Sequence, residues 1–230
     1  MISKKHKTIF VHIPKAGGQS IETMFLANEG LQWENRSALL LRKKKDSEEG
    51  PERLAHLKAS EYVDLGYISR QEFSSYFKFA FVRNPYKRVF SFYNFLGYSK
   101  IMTLQTFVEK VLPNKINSSD FFFFSQYDYL YNSKGDLLVG FVGKLESIQQ
   151  DIQQVISKSG LKNAALPHVN KSKGEWNRVL SLLLKNPKFW STYKRVTPSE
   201  NTFEKQFTKG IKEQVYQIYQ KDFQYFNYDK

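Results

Sequence analysis

Lys15 stands just ahead of Gly17 and Gly18, in the run His12-Ile13-Pro14-Lys15-Ala16-Gly17-Gly18-Gln19-Ser20. An apolar segment (Ile9, Phe10, Val11, Ile13) precedes it, and Ile21, Met24 and Phe25 follow at helical spacing. A strand, a small loop and a helix start make an anion site, because unpaired N–H groups and the helix dipole both favour negative charge. Gly17 and Gly18 permit a tight turn and a close approach by a ligand. Lys15 adds a point charge, Ser20 a hydroxyl and Gln19 an amide. The logic is that of a P-loop, but the order differs: nucleotide kinases place the lysine after the glycines. The same residues also fit a plain strand-to-helix turn with an incidental lysine.

A second constellation lies at Arg83 and Ser91. Arg83 ends the apolar run Lys78–Arg83, Asn84-Pro85 turns the chain, and Ser91 falls on the following helix. A guanidinium fork and a hydroxyl in that arrangement can grip a phosphate. Arginine capping a strand, with a small serine at a helix crossing, is the competing account.

These groups need a frame. Strand signals at 9–13, 78–83 and 136–144 alternate with helical patterns at 86–98, 103–112, 145–160 and 210–226. That alternation predicts an α/β fold: a single P-loop-like domain over 1–230, with a central, mostly parallel sheet flanked by helices. Pro113 is expected to stop the 103–112 helix, and Ile211, Val215, Ile218, Tyr219 and Phe223 are expected to face inward. The charged segment 42–53 predicts an exposed, mobile loop. Phe121 to Phe124 fit a core better than a sugar-stacking cleft.

Composition narrows the function classes. The 230 residues hold 41% hydrophobic and 16% aromatic side chains, enough for a substantial core. Lysine and arginine number 35 against 22 acids, a net charge of +13 that suits polyanionic partners. Cysteine is absent, so disulfides, thiol nucleophiles and thiolate metal sites are excluded. No signal-peptide pattern opens the chain, and no run approaches the ~18 apolar residues of a membrane span. A soluble cytoplasmic protein is the simplest expectation.

Taken together, the two anion motifs resemble the cofactor elements of the sulfotransferases. The wording HIPKAGG with FVRNPYKRVFSFY is most similar to the carbohydrate O-sulfotransferases that include the heparan sulfate 2-O-sulfotransferases and their bacterial relatives. QYDYL, FVGKLESIQQDI, LPHVNKS and YQKDFQYFNY extend the resemblance, which is weakest over 174–197, a family-atypical insertion. The resemblance implies 3′-phosphoadenosine 5′-phosphosulfate (PAPS) as sulfate donor. Lys15, Ala16, Gly17, Gly18, Gln19 and Ser20 then hold the 5′-phosphosulfate, and Arg83 with Ser91 the 3′-phosphate. Asn170, Lys171, Ser172 and Lys173 correspond to the segment that closes over the cofactor, although a polar loop explains them as well. Threonine is usual in the family where this chain has Gln19; an amide can still donate to a phosphate oxygen. Animal relatives carry a membrane anchor and work in the Golgi. The absence of an anchor here implies a bacterial cytoplasmic enzyme or a form without the anchor.

Sulfuryl transfer needs in-line geometry and stabilisation of the departing nucleotide, which Lys15 and the loop amides can supply. No metal is expected. The resemblance assigns the base that deprotonates the acceptor to His56, and an imidazole suits that role; an exposed histidine before a short helix is the alternative. His12 fits a core or loop-bracing histidine, His6 a solvated one, and His168 a loop-shaping one. Glu22 is a weaker base candidate, since an acid in a helix's first turn has a plain dipole explanation. The expected partner is a carbohydrate or glycoconjugate acceptor rather than nucleic acid, with oligomeric state open. Two competing readings are a P-loop-like nucleotide kinase and a non-catalytic polyanion-binding protein.

Overall fold

The computed structural model describes residues 1–162, 165–167 and 201–230. His168, Asn170 to Lys173 and the segment 174–197 lie outside the described residues.

Four strands form one sheet in the order β1-β2-β3-β4: β1 Ile2–Ser3, β2 Thr8–Val11, β3 Phe77–Val82 and β4 Phe141–Lys144. β1 is an antiparallel edge on β2. β2, β3 and β4 run parallel, with Phe10 beside Phe79 and Phe81 beside Gly143. The expected α/β fold with a mostly parallel, helix-flanked sheet is observed. Parallel pairing forces long crossovers, and the first carries α1, Gly18–Glu29.

The chain divides into two compact units, 1–83 with 124–169, and 84–123 with 170–230. The first contains the sheet, α1 and the helix Ile148–Ser159. Its core joins Phe10, Phe79 and Phe81 of the strands to Ile21, Met24 and Phe25 of α1 and to Ile152 and Val155. Phe10 and Phe79 stack at 4.9 Å. The second unit is helical. Helix Pro85–Phe95 packs Val89, Phe92 and Tyr93 against Leu104, Phe107, Phe123, Ile211, Val215 and Phe223. Phe123 is therefore core, while Phe121, Phe122 and Phe124 are only half-buried.

Several boundaries differ from expectation. The first strand ends at Val11, and Ile13 is buried beyond the ladder, just before Pro14. The third keeps only Phe141–Lys144, because Asn132 Oδ1 accepts from the amides of Lys134 and Asp136 and turns the chain there. Pro113 does not stop its helix. An i→i+5 turn at Phe107–Val111 leads into Leu112–Asn117, and this wider turn accommodates a residue that cannot donate an amide hydrogen. The closing helix breaks at Tyr219 into Lys209–Ile218 and Gln220–Tyr225, with Ile211, Val215, Tyr219 and Phe223 buried and Ile218 half-buried. Segment 42–53 is largely exposed but tied: Arg42 donates twice to Glu48 at 2.6 Å, and Lys43 bridges to Arg53. This pairing holds the Glu48 carboxyl down to about 2.

Candidate active site

The loop between β2 and α1 bends through two left-handed residues. Lys15 has φ 66° and Gly17 has φ 84°. Glycine takes that region freely, whereas a lysine there costs about 1–2 kcal/mol. The strain at Lys15 is of the kind found where a binding loop must present its backbone. Gly17 is the N-cap of α1, so no side chain caps the helix, and no acid stands in its first turn. The opening amides Gly18, Gln19 and Ser20 thus keep their affinity for an anion. Ala16 is buried, Gln19 exposed, and Lys15 and Ser20 half-buried. Leu145 lies directly against Gly17, leaving no room for a Cβ.

Arg83 is the first residue beyond β3. Its Nη1 donates to the Lys15 carbonyl at 3.4 Å, which joins the arginine motif to the lysine motif. Its backbone is held on both sides by Gln126: the Arg83 amide donates to Oε1 at 2.8 Å, and Nε2 donates to the Arg83 carbonyl at 2.8 Å. Gln126 is completely buried. No motif marks Gln126 in the sequence beyond its setting, a glutamine amid apolar and aromatic neighbours in Gln126-Tyr127-Asp128-Tyr129-Leu130. Ser91 lies in the second unit, half-buried in the helix Pro85–Phe95.

His56 sits in the turn Leu54–His56. Its Nδ1 donates to the His12 carbonyl at 2.9 Å. A carbonyl only accepts, so neutral His56 carries its proton on Nδ1 and its lone pair on Nε2. Burial, then the neighbouring His12, pushes its pKa well below the ordinary histidine value. His12 Nδ1 lies 2.5 Å from Glu22 Oε1, and Glu22 is buried. Glu22 follows the first turn of α1, so its place is explained by His12 and not by the helix dipole. His6 is not solvated either: its Nδ1 lies 3.0 Å from the Ser159 carbonyl.

The structure thus brings the lysine loop, Arg83, His12, Glu22 and His56 together in the first unit. The residues fit an anionic nucleotide: an uncapped helix start, two glycines and a lysine face one loop.

A sulfotransferase family model matches residues 1–229, and the chain belongs to that family. No curated protein and no solved structure matches it. Among the described residues, no helix is long and apolar enough to cross a membrane.

Proposed function

We propose that this sulfotransferase moves the sulfuryl group of PAPS to a hydroxyl of a carbohydrate acceptor, with His56 as base. The observation that carries the reading is the Arg83 contact to the carbonyl of strained Lys15, which ties two anion-binding elements into one frame. PAPS would supply an activated sulfuryl group and a bisphosphate leaving group. Lys15 and the amides of Gly17 to Ser20 would hold the 5′-phosphosulfate and stabilise charge on the departing oxygen. Arg83 and Ser91 would hold the 3′-phosphate, with Asn170, Lys171, Ser172 and Lys173 closing the site. His56 would take the acceptor proton at Nε2, its neutral form being the one favoured near pH 7. The transfer would need no metal. One domain over 1–230, a cytoplasmic location and a glycan acceptor of the heparan sulfate 2-O-sulfotransferase type belong to the same proposal.

Calorimetry with adenosine 3′,5′-bisphosphate tests it. A ligand at 100 times its dissociation constant adds about 2.7 kcal/mol of stability. Adenosine 5′-phosphate, which leaves the Arg83–Ser91 element empty, should add much less; equal effects would remove the 3′-phosphate assignment. His56→Ala should keep nucleotide affinity and lower sulfate transfer by roughly 10²–10⁴-fold. Transfer at the parent rate would remove His56 as base.

A further inference from the structure

Three elements meet around the His12 side chain. Its Nδ1 faces the buried Glu22 carboxylate of α1 at 2.5 Å. Its ring stacks on Phe10 at 5.4 Å and 15°, and meets the His56 ring at 4.5 Å and 60°. The fourth contact is Gly18: a Cβ there would fall on the Nε2 edge of the imidazole. The backbone of His12 itself supplies the carbonyl that holds His56 Nδ1. One residue therefore touches the anion loop, the helix behind it and the histidine read as base.

We propose that Glu22 and His12 are positioning residues for His56: Glu22 orients the His12 ring in the space left by Gly18, and His12 in turn seats His56 so that Nε2 is the nitrogen that accepts the proton. The proposal rests on the reading of His56 as base and extends it to the machinery behind that base. Three groups face His56 electrostatically: His12 from the loop, the Met1 amino group just ahead of β1, and Arg53 just before its own turn. Glu22 faces His12 and the Met1 amino group. All three groups facing His56 oppose its protonation. Glu22 holds the His12 ring by its Nδ1, so removing the carboxylate releases the ring that stands 4.5 Å from His56. The surroundings of His56 should then change, and its titration midpoint with them.

The test is a pH titration of ¹⁵N-histidine-labelled protein by proton–nitrogen correlation spectroscopy, each ring assigned by its own glutamine replacement. In the parent, neutral His56 should carry its proton on Nδ1 alone. Glu22→Gln keeps the size of the side chain and an acceptor oxygen. It should leave affinity for adenosine 3′,5′-bisphosphate unchanged and shift the His56 midpoint by about half to one pH unit. The acid limb of the sulfate-transfer profile should move with it. Glu22→Asp, which keeps the charge, should return the midpoint toward the parent value. If Glu22→Gln does not fold, His12→Asn serves instead: the backbone carbonyl remains, so His56 should keep its Nδ1 proton while its midpoint rises. An unchanged midpoint in a folded variant overturns the proposal. Failure of the underlying reading looks different: His56→Ala would still transfer sulfate, whatever the spectra report.

Discussion

Glu22 and Asp222 are both buried carboxylates facing a basic side chain, yet they serve opposite ends. Glu22 touches a histidine at 2.5 Å, beside a strained loop and a second imidazole. Asp222 lies 3.9 Å from Arg88, both in the aromatic core of the second unit, with the guanidinium 4.7 Å above Phe92 and 6.0 Å from Tyr219. Histidine can gain or lose its charge near neutrality, whereas arginine cannot. The first pair therefore stands among the residues of the candidate site, whereas the second ties helices Pro85–Phe95 and Gln220–Tyr225 to each other. A buried ion pair is thus evidence for a working site only when a partner titrates and the backbone beside it is strained.

The largest break in this comparison should come from Asp222→Ala. It strands a buried guanidinium and should cost about 3–5 kcal/mol in urea unfolding. Replacing both partners, Arg88→Met with Asp222→Leu, should recover most of that loss. Lys15→Ala keeps the Cβ and the same backbone demand, so stability should change little. Turnover should fall by about 10²–10³-fold, the effect of losing one group aimed at developing charge. Gly18→Ala inserts a methyl where the His12 ring lies. It should cost about 1–3 kcal/mol and displace His12, visible as a shift of its ring resonances.

A smaller effect concerns pH. His56 is lowered by burial and by His12, so below its unfolded value of about 6.5 the unfolded chain binds the proton first. The stability due to this group is complete above about pH 6.5 and is lost as pH falls toward the folded value. The melting temperature should therefore drop between neutral and mildly acid pH, and less steeply in His56→Gln. The smallest effect belongs to the Arg42–Glu48 pair: Glu48→Gln should leave the melting temperature nearly unchanged, since solvent screens such a pair.

The sequence exposed the parts that obey local rules. The strand-loop-helix at Lys15 is legible because a glycine pair between an apolar run and a helical pattern has few other uses. The parallel sheet follows from the spacing of its strands. Three features were not legible, each for its own physical reason. Gln126 meets Arg83 across 43 residues. Glu22 has a local dipole explanation that its contact with His12 displaces. The turn at Phe107–Val111 absorbs Pro113, although proline normally signals a stop. The acceptor leaves no such mark, because many classes of molecule present the same acceptor group.

The pair of hydrogen bonds between Gln126 and Arg83 has a consequence for exchange kinetics. A primary amide carries the same donor and acceptor as a peptide group, so Gln126 serves Arg83 as a neighbouring strand would, extending the ladder by one rung after β3 has ended. The amide proton of Arg83 should then exchange with deuterium as slowly as those of the sheet, at the point where a loop would begin. Asparagine is a carbon too short to reach both groups, and glutamate has no hydrogen to give. The identity of a side chain in the first unit thus decides how far the rigid edge reaches toward the guanidinium.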